Sequence, residues 1–200
     1  MAKNFEDTIH DNLHQYLVGM KMVDERLQEC PDVEERWPSI GNSYIPDGAR
    51  EFRNYPVASL GWMMYIGMAV AKLWDEECQW HSIASRSVAS RVKPSGEQNE
   101  WEIYSQLDDM YIYMRDKRGY DEMDEFIRED VLMLRGRESD ALEEVVSECA
   151  TRVNYELMRE RLEPGTKEAF DGYVACLHQL YLFGMAMQLH RMGYHMKRVM

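Results

Sequence analysis

The sequence VASLGWMMYIGMAV occupies residues 57–70, and VACLHQLYLFGMAM occupies residues 174–187. Both stretches are apolar on nearly every side of a helix, whereas a helix at the surface of a globular protein keeps a polar face. A helix that is apolar all round is buried on all sides. We therefore predict two central helices, over about 56–90 and 166–192, in the middle of the molecule.

The two stretches also resemble each other. They match without a gap at six of fourteen positions, and both contain Gly-Met-Ala near their ends. Residues 16–22 (YLVGMKM) repeat part of the pattern. An ancient duplication and a shared packing requirement would both produce this similarity. Because a glycine inside a helix costs about 1 kcal/mol relative to alanine, Gly67 and Gly184 are predicted to mark a close crossing of helices.

The rest of the chain has helical periodicity and no convincing strand, which predicts an all-α fold. We expect residues 1–200 to form one domain, a bundle of about six helices in which amphipathic helices surround the central pair. Irregular structure is predicted over 39–55, which contains two glycines and Pro46. A subdomain break could fall near 93–96. The amphipathic helices are predicted over about 5–29, 97–118, 121–136 and 139–163.

Composition and charge exclude several classes of protein. The chain is 45% hydrophobic and 30% charged, with a net charge of −13, which argues against a protein that binds nucleic acid or an anionic membrane through bulk electrostatics. Neither apolar stretch reaches the roughly 20 apolar residues of a membrane span. No signal-peptide pattern is present, and no CxxC occurs, which together predict free thiols and a cytoplasmic protein. The cysteines are Cys30, Cys78, Cys149 and Cys176.

Most of the negative charge lies in residues 94–165, which hold 9 basic and 20 acidic side chains. Such a block usually forms a solvated face that keeps a protein soluble. It could also dock a basic protein partner. The leading hypothesis is a non-enzymatic interaction protein, with a binding, inhibitory or regulatory role, that uses the acidic surface of residues 97–163. Its candidate contacts are Asp121, Glu122, Glu125 and Glu129.

The 39–55 stretch suggests an alternative function, because long irregular segments of compact domains are often functional. Two arginines three residues apart could bind a phosphate or a carboxylate. This alternative predicts a small-molecule or nucleotide-handling protein, or an enzyme, with an anion site beneath 39–55. The competing explanation is a surface segment whose arginines pair with Asp47 and Glu51. The candidate ligand contacts are Tyr44, Arg50, Arg53, Tyr55 and Trp62.

No specific catalytic, nucleotide or cofactor motif occurs, so the sequence predicts no cofactor and leaves the oligomeric state open. One arrangement has the spacing of metal ligands, namely Asp7, His10, Asp11 and His14. On a helix these residues lie about 150° from the apolar stripe, which predicts a solvent-facing cluster without a supporting shell. We therefore predict no metal site there. No role is assigned to His81, His178, His190 and His195.

Overall fold

The computed structural model describes residues 4–86 and 109–196, which are helical with connecting turns and, within these ranges, contain no strand. The predicted all-α bundle of about six helices is confirmed, since six described helices have at least nine residues. A π-helix, Ile127–Val131, directly follows the short helix Met123–Phe126. The α-helices are α1 (Phe5–Gly19), α2 (Pro31–Glu34), α3 (Trp37–Phe52), α4 (Pro56–Arg86), α5 (Met110–Arg118), α6 (Met123–Phe126), α7 (Arg137–Arg159) and α8 (Lys167–Arg191).

Helices α4 and α8 form the centre of the bundle, as predicted. Over residues 60–71 of α4 and 180–189 of α8, all side chains but one on each helix are buried. Pro56 opens α4, where its fixed φ and missing N–H are tolerated. Thr166 caps α8, because its hydroxyl accepts a hydrogen bond from the backbone N–H of Ala169. The sequence therefore predicts both the burial of these helices and their starting points.

Two glycines allow the central helices to cross closely. A Cβ on Gly67 would overlap the carbonyl oxygen of Tyr181 and lie 3.1 Å from the backbone nitrogen of Met185. A Cβ on Gly184 would overlap the carbonyl oxygen of Met64. Each glycine thus faces the residue three positions before the other glycine, so the crossing has approximate two-fold symmetry. The predicted close crossing is confirmed.

The other long helices pack around this pair. Helix α1 buries Ile9, Leu13 and Leu17 and contacts both α7 and α8. Helix α7 packs against α4 with an apolar stripe at three- and four-residue spacing. Helix α3 contacts α4 and α8 through a face that includes the fully buried Tyr44. These contacts make one continuous core around α4 and α8.

Helix α1 is shorter than predicted, because it ends at Gly19 and not near residue 29. The backbone N–H of Met22 donates to the carbonyl of Leu17, and the N–H of Lys21 donates to that of Val18. These bonds form a Schellman motif, in which Lys21 has a positive φ of 58°. The sequence misses this end, since glycine is the usual residue at that position. The chain then turns, and Pro31 begins α2.

The predicted irregular stretch over 39–55 is wrong, because most of it belongs to α3. Its two glycines are packing sites. A Cβ on Gly41 would lie 3.1 Å from the indole of Trp37, and a Cβ on Gly48 would overlap the ring of Tyr44. Pro46 lies inside the helix on its exposed side. Helix propensity is a weak local preference that tertiary packing overrides here.

The predicted helix over 121–136 is also divided. One turn of α-helix is followed by the π-helix, and the chain leaves it through Met133, whose φ is positive at 56°. Helix α7 then starts after Gly136 rather than at Ser139, whose buried hydroxyl accepts a hydrogen bond from Arg128. Gly119 follows α5 as predicted. The predicted break near 93–96 and residues 97–108 of the predicted third helix lie outside the described residues.

Two further predictions concern the membrane and the cysteines. In the described part of the chain, the Pro56–Cys78 segment of α4 is long and apolar enough to cross a membrane, and 72% of its most apolar window is buried in the bundle. Core helices and membrane spans share these properties, so this segment is weak evidence for either. The four cysteines are free, as predicted, and three of them are buried.

Candidate functional site

The five candidate ligand residues near α3 do not converge on one space. Tyr44 is fully buried, and its hydroxyl donates a hydrogen bond to the carbonyl of Ser59. Tyr55, by contrast, is 65% exposed beyond the end of α3. Arg50 and Trp62 do share a neighbour, because both contact the ring of Tyr120. The anion site predicted beneath 39–55 thus has no common lining of these five residues.

Arg50 agrees with the competing explanation, in which the arginines of this segment pair with nearby carboxylates. The Arg50 guanidinium lies 3.1 Å from Asp47 and 3.4 Å from Glu51. Arg53 is exposed just after α3. Because Arg50 is already paired and 64% exposed, its charge is compensated locally.

Asp47 is the centre of a polar network that joins α3 to α5. It accepts hydrogen bonds from the Tyr111 hydroxyl at 2.6 Å and from the Arg115 guanidinium at 3.2 Å. Burial raises the pKa of Asp47, but these two hydrogen bonds and the charges of Arg50 and Arg115 outweigh burial and lower it overall. The network holds two helices together, and both carboxylate oxygens of Asp47 already have donors from the protein.

The predicted acidic contacts lie at the start of α6 and in the π-helix. Asp121, Glu122 and Glu125 are exposed and have no ion-pair partner among the described residues. Glu129 differs, since its carboxylate lies 3.1 Å from the guanidinium of Arg118. Three of the four predicted carboxylates therefore carry uncompensated charge.

A polar cleft of about 330 Å³ lies between the π-helix and the start of α7. Two of its cations are already paired. Arg118 contacts Glu129 and Asp130, whereas Arg128 contacts Asp124 and Glu143. The cleft is lined by Arg118, Glu125, Arg128, Glu129, Asp130, Arg135, Gly136, Ser139 and Asp140.

Glu125, Asp140 and Arg135 are the cleft charges that lack an ion-pair partner in the described chain. Two are anions and one is a cation, so the unpaired charge of the cleft is negative. Asp121 and Glu122 do not line the cleft, but they are exposed and directly precede α6, which carries Glu125. This arrangement can accept a cationic side chain from another molecule.

Arg128 lines this cleft and stabilises its shape. Its side chain is 10% exposed, and its guanidinium donates to Ser139 at 2.9 Å, to Glu143 at 3.0 Å and to Asp124 at 3.1 Å. These bonds tie α6 and the π-helix to the first turns of α7. π-Helical turns are rare and often occur at functional sites. The sequence carries no pattern from which this turn could be predicted.

The histidines of α1 are less exposed than predicted. His10 and His14 are partly buried, and their ring centroids lie 5.3 Å and 6.4 Å from that of Phe183 on α8. Only Asp7 and Asp11 of that cluster are exposed. The helix is rotated so that its histidines lie at the edge of the core, where aromatic rings contact each other.

Two histidines without a predicted role meet near the end of α8. His190 and His195 both approach the carboxylate of Asp24, which lies in the connection between α1 and α2. The signal in the sequence is Gly193, because a glycine just after a helix can reverse the chain and bring flanking residues together.

No family model, curated protein or solved structure matches this chain.

Proposed function

We propose that this protein is a non-enzymatic interaction protein that docks a basic protein partner. Its docking surface consists of Asp121, Glu122, Glu125 and Asp140 at and beside the polar cleft. The observation that carries the proposal is that these four carboxylates are exposed and form no ion pair within residues 4–86 and 109–196. Lysine or arginine side chains of a partner would supply the missing counter-charges.

An exposed apolar side chain next to the cleft also supports docking. Met133 follows the π-helix, two residues before the cleft residue Arg135, and is 72% exposed. Methionine adapts its shape to different neighbours because it is unbranched and polarisable. Apolar contacts inside a polar rim are typical of protein interfaces. Met133 would provide an apolar contact beside the carboxylates.

Electrostatic attraction would bring the partner to this surface. Residues 94–165 carry a net charge of −11, while residues 166–200 carry +2. A field of one sign speeds the encounter with an oppositely charged protein. Because salt screens exposed charges beyond about 8 Å at physiological ionic strength, the encounter rate should fall as salt rises.

The test begins with capture of partners from the native cell at low salt, followed by titration of each purified partner against two variants. The first combines Glu122→Lys, Glu125→Lys and Asp140→Lys, and it spares the paired Glu129. We expect this variant to weaken binding at least about tenfold and to reduce its salt dependence.

The matched control combines Asp7→Lys, Glu25→Lys and Glu35→Lys. These residues are exposed, lie outside the acidic block, and change the net charge by the same amount. We expect the control to bind the partner nearly as tightly as the wild type. Equal losses in both variants would mean that only net charge matters, and they would exclude the docking surface.

A further inference from the structure

The end of α8 brings two imidazoles and a carboxylate together. Nε2 of His190 lies 3.4 Å from one oxygen of Asp24, and Nδ1 of His195 lies 3.3 Å from the other. One ligand atom from each of the three residues lies within 4.8 Å of the other two. The side chains of Asp24 and His190 are three-quarters buried, and that of His195 is half-exposed.

Nδ1 of His195 lies 3.3 Å from each oxygen of Asp24, which is a long hydrogen bond, and separations of this size also suit a shared metal ion. An N–H donor and its oxygen acceptor usually lie about 2.7–3.2 Å apart. Zinc binds imidazole nitrogen and carboxylate oxygen at about 2.0–2.1 Å, so ligand atoms at tetrahedral angles lie about 3.3 Å from each other. The two nitrogen–oxygen distances here match that value. Two imidazoles and one carboxylate are also a donor set that divalent zinc accepts.

The backbone builds this cluster by reversing direction after α8. Gly193, with φ of 88°, donates its N–H to the carbonyl of His190, and Tyr194 donates to that of Leu189. This is a Schellman motif. In a continuous helix His195 would lie about 140° around the axis from His190. The reversal instead places the two ring centroids 4.9 Å apart.

Neighbouring groups hold Asp24 and the segment that carries His195 in position. The backbone N–H of Met196 donates to the Asp24 carboxylate at 3.1 Å, and Nε2 of His14 lies 3.1 Å from the Asp24 carbonyl oxygen. The Tyr194 hydroxyl donates to Asp75 at 2.6 Å, which fixes the segment that carries His195. Outer hydrogen bonds of this kind orient metal ligands and raise metal affinity.

We propose that Asp24, His190 and His195 bind one zinc ion per chain. Three protein ligands leave a fourth tetrahedral position for water or a small anion, as in zinc sites with an exchangeable ligand, whereas purely structural sites use four protein ligands. The zinc would link the connection between α1 and α2 to the segment after α8. This site is independent of the proposed docking surface, which uses other residues.

The test is calorimetric titration of zinc chloride into the metal-free full-length protein. The variants are Asp24→Asn, His190→Ala and His195→Ala. We expect one zinc ion per wild-type chain and a loss of affinity of at least about tenfold in each variant, because each removes one ligand. Far-UV circular dichroism confirms that each variant is folded. His195→Ala changes the half-exposed ligand and keeps the test valid if Asp24→Asn or His190→Ala does not fold.

His178→Ala is the matched control. His178 also faces a carboxylate at 3.4 Å, that of Glu6, but no second histidine is close enough to complete a cluster in the described chain. We expect this variant to bind zinc within about twofold of the wild type.

Cobalt gives an independent measurement, because a tetrahedral cobalt ion absorbs visible light with a characteristic intensity. Wild-type protein should show this absorption with one cobalt ion per chain, and Asp24→Asn should lose it. Zinc should also raise the melting temperature of the wild type but not that of Asp24→Asn, because a ligand stabilises the state that it binds. Wild-type zinc affinity equal to that of Asp24→Asn, or an equal loss in His178→Ala, would overturn the proposal.

Discussion

At Gly67 and Gly184 the backbone of one central helix occupies the space that a side chain would need on the other. The obstacle is a backbone carbonyl in both cases, which cannot rotate away as a flexible side chain would. We expect Gly67→Ala and Gly184→Ala each to lower the free energy of unfolding by about 1–3 kcal/mol, and the leucine variants to lower it further. Thermal and urea denaturation measure these losses.

Gly19→Ala is the control for these variants. No atom lies within 4 Å of a Cβ placed on Gly19, and its φ is not positive. Alanine restricts the unfolded chain more than glycine does, so this variant should be unchanged or more stable by about 0.4–1 kcal/mol. Losses of equal size at Gly19 and Gly67 would contradict the close crossing.

The same glycines show how far a local pattern predicts structure. Gly19, Gly67 and Gly184 stand in similar surroundings, each followed by methionine. The two glycines inside all-round apolar stretches mark a crossing, as predicted, but Gly19 ends α1. The difference depends on Lys21, whose positive φ no residue-type preference predicts. Burial was therefore predictable from composition, whereas the exact end of a helix was not.

Asp47 should make stability depend on pH. Its pKa is lower in the folded protein than the unperturbed value of about 3.9, so it stabilises the fold above that pH. The contribution is lost as pH falls through the folded-state pKa. We expect Asp47→Asn to lower the free energy of unfolding by about 1–3 kcal/mol at pH 7, and this difference from wild type to shrink below about pH 4.

Urea denaturation at neutral and acidic pH measures this difference. Asp116→Asn is the control, because Asp116 pairs with Arg115 but is 61% exposed, so its loss should cost less than about 1 kcal/mol. A difference between wild type and Asp47→Asn that is independent of pH would show that the charge of Asp47 does not contribute.

Among the elements, α3 shows why the candidate ligand site was mispredicted. Two glycines and a proline within 39–55 suggest a loop when each residue is judged alone. In the fold, Gly41 and Gly48 let aromatic rings approach the helix, and the packing of Trp37 and Tyr44 stabilises it. Most helical stability in proteins comes from such packing and not from propensity. Tyr44 therefore lies on the buried side of α3 and Arg50 on its exposed side, whereas the other three candidates follow the helix or belong to α4.

The π-helix depends on Arg128 for its connection to α7. Replacing Arg128 by methionine keeps the length of the side chain but leaves Asp124, Glu143 and the buried Ser139 without this donor. We expect Arg128→Met to lower the free energy of unfolding by about 2 kcal/mol or more, because hydrogen bonds to charged groups are the stronger ones. Denaturant titration measures the loss.

Arg26→Met serves as the comparison for this variant. Arg26 also pairs with a carboxylate, that of Glu29, but here both side chains are more than 60% exposed. Exposed pairs contribute about 0–1 kcal/mol, so this variant should remain close to wild type. If both variants lose equally little, Arg128 does not hold the π-helix in place.

For the whole molecule, the sequence predicts the centre better than the surface. The all-round apolar stretches predict α4 and α8 with nearly correct starting points. A helix that is buried on all sides has apolar residues on every side of each turn, and this pattern can be identified in the sequence. The polar cleft and the Asp24–His190–His195 cluster leave no such pattern. They depend on backbone reversals at Met133 and Gly193 and on elements far apart in the chain. Their residues could be identified in the sequence, but the contacts between these residues could be identified only in the folded structure.

The crossing of α4 and α8 also affects how the chain folds while it is being synthesised. Gly67 contacts Tyr181, more than a hundred residues later in the chain. Synthesis adds about 5–20 residues per second, so the apolar surface of α4 would stay exposed for on the order of ten seconds before α8 leaves the ribosome. We expect the nascent chain to occupy chaperones during this interval. Folding of the centre can finish only when the last helix emerges.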